Sequence, residues 1–191
     1  MVSPLSDPSG CEPCYSNELT ICLTTEPVAS TISGITPVCI ENLSTPLTAQ
    51  PVDPDYTYSW FWNGAPAGTG ATINADEAGL YHLETSNGCQ TTQSEFELEV
   101  CEVIALISCP LQPNPCACEG VEIILDGSAS NDSCGEPLSF EWFIGNTSIG
   151  NSSSITHLPT GVTTYTLEVE NTITGCTDTA NLTITPCEKV E

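Results

Sequence analysis

A Cys, Trp, Cys constellation occurs twice in this chain, as Cys39, Trp60 and Cys89 and again as Cys118, Trp142 and Cys176. A buried Trp packed against cross-linked strands is the core of a β-sandwich, so the pattern predicts two such domains in tandem. The repeat extends beyond those residues. Tyr58-Ser-Trp60-Phe-Trp62, Gly79-Leu-Tyr81-His-Leu83 and Asn87-Gly-Cys89 recur in the same order as Phe140-Glu-Trp142-Phe-Ile144, Thr164-Tyr165-Thr-Leu167 and Thr174-Gly-Cys176. Each copy looks complete and neither adds a distinct chemical cluster, which favours a scaffold over an enzyme.

With 191 residues, each copy can bury only a modest core. The 12 cysteines supply staples, and their even number points to disulfides formed in an oxidising compartment. Zinc is disfavoured, because a four-thiolate site wants two close pairs with zinc-ribbon spacing, and the cysteines other than Cys11/Cys14 and Cys116/Cys118 lie on β-patterned segments. Equivalent places in the two copies suggest Cys39 with Cys89 and Cys118 with Cys176. Strand ends suggest Cys22 with Cys101 and Cys109 with Cys187, leaving Cys116 with Cys134 and Cys11 with Cys14. Sequence alone leaves this connectivity open.

Asp and Glu number 25 against one basic residue, Lys189, for a formal net charge of -24. Nucleic acid and anionic membrane are excluded as partners, since both require Lys and Arg to neutralise phosphate. No apolar stretch is long enough to insert as a membrane helix. The start, Met1 to Pro8, also lacks the basic and apolar regions of a signal peptide. The sequence is therefore expected to be a mature, truncated or reconstructed form.

Helical periodicity is absent, β-branched residues dominate, and the expected class is all-β. Residues 1–29 read as an extended N-terminal arm, 30–102 as the first sandwich and 103–191 as the second. Within the arm, Leu19, Ile21 and Leu23 alternate with polar or small residues and form a candidate donor or first strand. Almost no linker separates the sandwiches, so they are expected to sit in a fixed relation.

The run Asp126-Gly-Ser-Ala-Ser130, followed by Leu138-Ser-Phe-Glu-Trp142 and Tyr165-Thr-Leu-Glu-Val169, resembles the polycystic-kidney-disease (PKD) type of Ig-like domain common in bacterial surface proteins. The resemblance covers about residues 105–187. Residues 38–101 are similar to related Ig-like repeats of secreted bacterial adhesion and gliding proteins. These resemblances imply extracellular or cell-surface structural and adhesive roles and seldom catalysis.

Trp60 and Trp142 are expected in the cores, with Trp62 less determined because its counterpart is Ile144. Asp53/Asp55, Asp76/Glu77 and Asp126 with Asp132 and Glu136 are the carboxylate groupings in which calcium is the one candidate ion; no cofactor is otherwise expected. The two histidines, His82 and His157, have no catalytic motif around them. Asn42, Asn131, Asn146, Asn151 and Asn181 begin glycosylation sequons, so a glycan coat is a further expectation.

The leading reading is a non-enzymatic subunit of an extracellular filament or surface fibre, a homopolymer growing head to tail by β-strand donation from the arm. The alternative is an adhesin or spacer fragment binding glycan or protein through loops such as Asn63 to Gly70 or Asn146 to Ser154. An accessory domain of a secreted hydrolase is the third.

Overall fold

A computed structural model describes residues 29–109 and 120–187. Alternation of buried and exposed residues produces strands throughout, with one 3-10 turn at Ile40–Asn42. The first sandwich comprises β1 (Thr31–Ser33), β2 (Val38–Cys39), β3 (Thr45–Gln50), β4 (Thr57–Trp62), β5 (Ala65–Thr69), β6 (Thr72–Ala75), β7 (Gly79–Ser86), β8 (Thr91–Leu98) and β9 (Val100–Cys101). One sheet has the order β1-β3-β6 and the other β5-β4-β7-β8, while β2 and β9 form a parallel pair. The chain crosses between the facing sheets after β3, β5 and β6, and the hairpins β4–β5 and β7–β8 stay within one sheet, which is an Ig-like arrangement. Leu47, Ala49 and Ala75 of one sheet are buried against Tyr58, Trp60, Tyr81, Leu83 and Leu98 of the other.

The second sandwich comprises β10 (Val103–Ile104), β11 (Ile123–Asp126), β12 (Asn131–Asp132), β13 (Leu138–Ile144), β14 (Thr147–Gly150), β15 (Ser154–His157), β16 (Thr163–Asn171) and β17 (Thr177–Ile184). Its sheet β14-β13-β16-β17 repeats the order of β5-β4-β7-β8 and faces the pair β11-β15.

The duplication holds at the level of hydrogen-bond register. Trp60 lies opposite Leu83 as Trp142 lies opposite Leu167, and Trp62 opposite Tyr81 as Ile144 opposite Tyr165. A bulge follows each core Trp, between Trp60 and Phe61 and between Trp142 and Phe143. Trp60 is 1% exposed and Trp142 0%, and their indole Nε1 groups donate at 2.8 Å to the carbonyls of Gly70 and Ser152 respectively. Burying the ring while satisfying its one polar group explains why only Trp suits this position. Gly127 of the Asp126-Gly-Ser-Ala-Ser130 run is likewise sterically required: a Cβ there would lie 2.6 Å from Leu167 Cδ2 and 3.3 Å from Trp142 Cζ2.

Two segments expected as loops are instead edge hairpins. Residues 63–70 contain β5 and residues 146–154 contain β14. Asn63 and Gly64 have φ of 46° and 84°, the left-handed pair that closes a tight hairpin whose twist matches its strands. Pro66 is tolerated because β5 is an edge.

One core position departs from the repeat. Thr85 is completely buried, and its hydroxyl has no hydrogen-bond partner among the described residues, whereas the register places Val169 at the equivalent site. Replacing Thr85 with Val removes an unsatisfied polar group while keeping the shape. The expected gain is about 1 kcal/mol in a chemical-denaturation experiment with the disulfides intact.

Candidate functional site

The most distinctive chemistry lies where the sandwiches meet. Parallel pairing places Val38 beside Val100 and Cys39 beside Cys101, so two cysteines emerge together from the base of the first sandwich. The second sandwich meets them with two loops. The β16–β17 turn presents Cys176, with Asn171 Oδ1 accepting from the amides of Ile173 at 2.8 Å and Thr174 at 3.0 Å. Gly175 closes that turn with a φ of 71°, where a side chain would strain the backbone. The β12–β13 loop presents Cys134, whose amide donates to Asp132 Oδ2 at 3.0 Å, as does that of Glu136 at 3.1 Å.

Two disulfides close the joint: Cys39–Cys176, with Cα atoms 5.2 Å apart, and Cys101–Cys134, 5.4 Å apart. Both run from the first sandwich to the second. Cys39, Cys101 and Cys176 are buried and belong to the core of the second sandwich together with Val103, Trp142 and Val169. Polar contacts reinforce the covalent ones. The Ser133 amide donates to the Glu102 carbonyl at 3.0 Å, the Glu102 amide to Ser133 Oγ at 2.9 Å, and the Ala105 amide to Asp178 Oδ2 at 2.8 Å.

This overturns the expected connectivity. Cys39 is bonded to Cys176, so neither Cys39–Cys89 nor Cys118–Cys176 forms. Cys101 is bonded to Cys134, which excludes Cys22–Cys101 and Cys116–Cys134. Cys89 and Cys109 are also disulfide-bonded, and among the described residues no bridge joins Cys109 to Cys187. Cys11, Cys14, Cys22, Cys116 and Cys118, with Leu19, Ile21 and Leu23 of the expected donor segment, lie outside the described residues. Sequence reasoning paired cysteines within each copy and so missed the junction. The available signal was the missing linker, which brings the end of β9 against the first loops of the next sandwich.

A cleft of about 320 Å³ opens beside the joint, lined by Cys39, Glu41, Glu102, Val103, Cys176 and Asp178 among others. Among the described residues, the one group of three potential metal ligands is Cys101, Asp132 and Cys134, but both sulfurs are committed to the disulfide and leave no thiolate. Asp126, Asp132 and Glu136 are not drawn into a three-carboxylate group. Asp53 Oδ1 is used locally, accepting from the Asp55 amide at 2.9 Å, and Asp126 Oδ1 from the Ser128 amide at the same distance. The hydrogen bonds from Ser128 hold the Asp126 carboxyl below the usual carboxylate range.

The remaining sites fall apart spatially. His82 Nε2 lies 3.8 Å from Glu84 and His82 Nδ1 3.8 Å from Glu95, both at the surface of β7 and β8, while His157 Nδ1 is 2.8 Å from the hydroxyl of Tyr165. Trp62 is half-buried, with Nε1 donating to the Ala78 carbonyl at 3.0 Å. All five sequon asparagines, Asn42, Asn131, Asn146, Asn151 and Asn181, are exposed.

Burial raises the phenol pKa of Tyr81 and Tyr165 above the ordinary 10.0, because the anion would be desolvated. The neutral phenols therefore stabilise the fold below that value, and the contribution is lost as pH rises through the elevated native values. In an alkaline titration, tyrosinate absorbance from these two side chains should appear together with loss of the circular-dichroism signal of the folded sheets.

No protein-family model matches the chain, and no curated protein matches it either. Solved structures do resemble it. The three N-terminal domains of the bacteriophage RB49 highly immunogenic outer capsid protein are 21% identical over 83% of this chain, with a TM-score of 0.49; the chain spans 59% of that phage chain. The full ectodomain of mouse nectin-like molecule 4 is 16% identical, covering 86% of this chain and 67% of that one, with a TM-score of 0.44. Fibronectin(III)-like modules of Clostridium thermocellum CbhA are 12% identical, covering 82% and 94% of the two chains at a TM-score of 0.38. The Ig-like assignment of this chain itself rests on its strand order and register. The disulfides fit an oxidising environment, and no helix among the described residues is long and apolar enough to cross a membrane.

Proposed function

We propose that this chain is a non-enzymatic structural subunit of an extracellular filament or surface fibre. The observation that carries the reading is the pair of disulfides across the domain junction. Two covalent ties with a buried core between them turn tandem sandwiches into one stiff unit, a property that serves a fibre and that a swinging ligand-binding array does not need. The edge hairpins at β5 and β14 point the same way, since they convert the segments suited to ligand capture into regular sheet.

In this reading the chain assembles with itself into a homopolymer. The alternating segment at Leu19, Ile21 and Leu23 is the candidate donor to a neighbouring copy, because strand addition relies on backbone hydrogen bonds and works between like-charged molecules. A sugar coat on Asn42, Asn146 and Asn151 would hydrate the assembled surface.

Electron microscopy of the native protein, without reductant and at moderate salt, tests the reading. Regular filaments with a two-sandwich repeat are expected. Dispersed short rods would reject it and support an adhesin or spacer in its place. Deleting residues 1–24 should abolish growth; unchanged polymerisation would eliminate strand donation as the mechanism.

A further inference from the structure

The edges of a β-sheet expose rows of unpaired N–H and C=O groups, and native proteins guard them with charge, proline, bulges or brevity. Nearly every described edge carries such a guard. β5 contains Pro66 and lies against the bulge after Trp60. β14 has four residues and lies against the bulge after Trp142. The edges of the facing sheets, at β1, β6, β11 and β15, run four residues or fewer. β8 is long, with eight residues, but presents the exposed carboxylates Glu95 and Glu97.

β17 is equally long and has none of these. Among the described residues it is the outer strand of its sheet, without proline or glycine, and its exposed positions are Thr177, Thr179, Asn181 and Thr183. Asp178, its one charged residue, is half-buried and accepts from the Ala105 amide. Phe96 faces Tyr81 as Leu182 faces Tyr165, so Asn181 and Thr183 stand where β8 carries Glu95 and Glu97. The side chains are held in place by Thr166 Oγ1 donating to Asn181 Oδ1 at 2.6 Å and by the Thr164–Thr183 hydroxyl pair at 2.9 Å.

We propose that β17 is an interaction surface for a second copy of this chain, the two β17 strands pairing antiparallel about a twofold axis and joining their four-stranded sheets. Charge selects this occupant. A chain with a net charge of -24 meets its own copy most cheaply where a long backbone edge carries no outward carboxylate. Threonine and asparagine would then face one another across the twofold, a favourable cross-strand combination. A basic partner would gain nothing from a strand without carboxylates and would bind elsewhere. The contact is side by side, independent of the head-to-tail growth proposed above. A sugar on Asn181 would close this edge, so the pairing requires that asparagine to be bare.

Sedimentation velocity of the full chain with its disulfides intact, at low and moderate salt, provides the test. Wild type should form a dimer that tightens as salt screens the net repulsion. Asn181→Glu with Thr183→Glu, which copies the guard of β8, should weaken it by about tenfold or more, and Thr179→Glu should weaken it while leaving both side-chain hydrogen bonds intact. If head-to-tail filaments also form, these variants should leave single filaments where wild type gives laterally paired ones. A wild type that never pairs laterally, variants that pair as wild type does, or a sugar found on Asn181 would each overturn the proposal.

Discussion

Serine at both Cys39 and Cys176 is expected to lower the free energy of unfolding by about 4 to 5 kcal/mol, because this bridge closes a loop of 137 residues in the unfolded chain. The loss should change the form of unfolding as well as its midpoint. With the bridge intact, the second core includes Cys39 and Cys101 from the first sandwich, so the two units should unfold together. Without it, calorimetry should resolve two transitions, and small-angle scattering should report a wider range of domain orientations. The bridge Cys101–Cys134 spans only 33 residues, so its removal should cost less, about 3 to 4 kcal/mol. A double-serine variant that kept one sharp transition and an unchanged scattering curve would show that the Cys101–Cys134 bond and the noncovalent contacts lock the joint without Cys39–Cys176.

Trp142→Ala should cost about 3 to 5 kcal/mol, since the indole is fully buried and the cavity it leaves cannot collapse between two sheets. The Ser152 carbonyl would also lose its donor. Trp142→Phe separates the two contributions: it keeps most of the ring but removes the N–H, and should cost about 1 to 2 kcal/mol. Equilibrium denaturation of both variants checks the ordering, which an equal cost for the two would contradict.

The strands were legible because both cores use inward apolar residues at period two, as in Tyr81, Leu83 and Tyr165, Leu167, Val169. The paired Trp positions were legible from their neighbours, since equivalent flanking residues imply equivalent burial. The bulged edges were not: Pro66 and Gly68 look like loop punctuation in sequence, and only an edge position lets them stay in a sheet.

The cysteine connectivity failed for a geometric reason. Cys39 sits beside Cys101, after the far end of β8, whereas Cys89 lies in the turn before that strand. Eight strand residues separate those ends by roughly 26 Å, several times the span a disulfide can bridge. Matching positions in a repeat therefore marked equivalent places in two folds, and the bonds joined opposite ends of neighbouring folds.

The Cys39–Cys176 bond also shortens the path along which tension would travel. Pulled from residues 30 and 187, the chain would pass load from Cys39 directly through sulfur to Cys176, and the 137 intervening residue steps would carry none of it. At about 3.3 Å per residue, roughly 450 Å of contour length is thereby locked away from extension. Such a molecule would behave under force as a nearly inextensible link, and reduction of one bond would turn it into a long shock absorber.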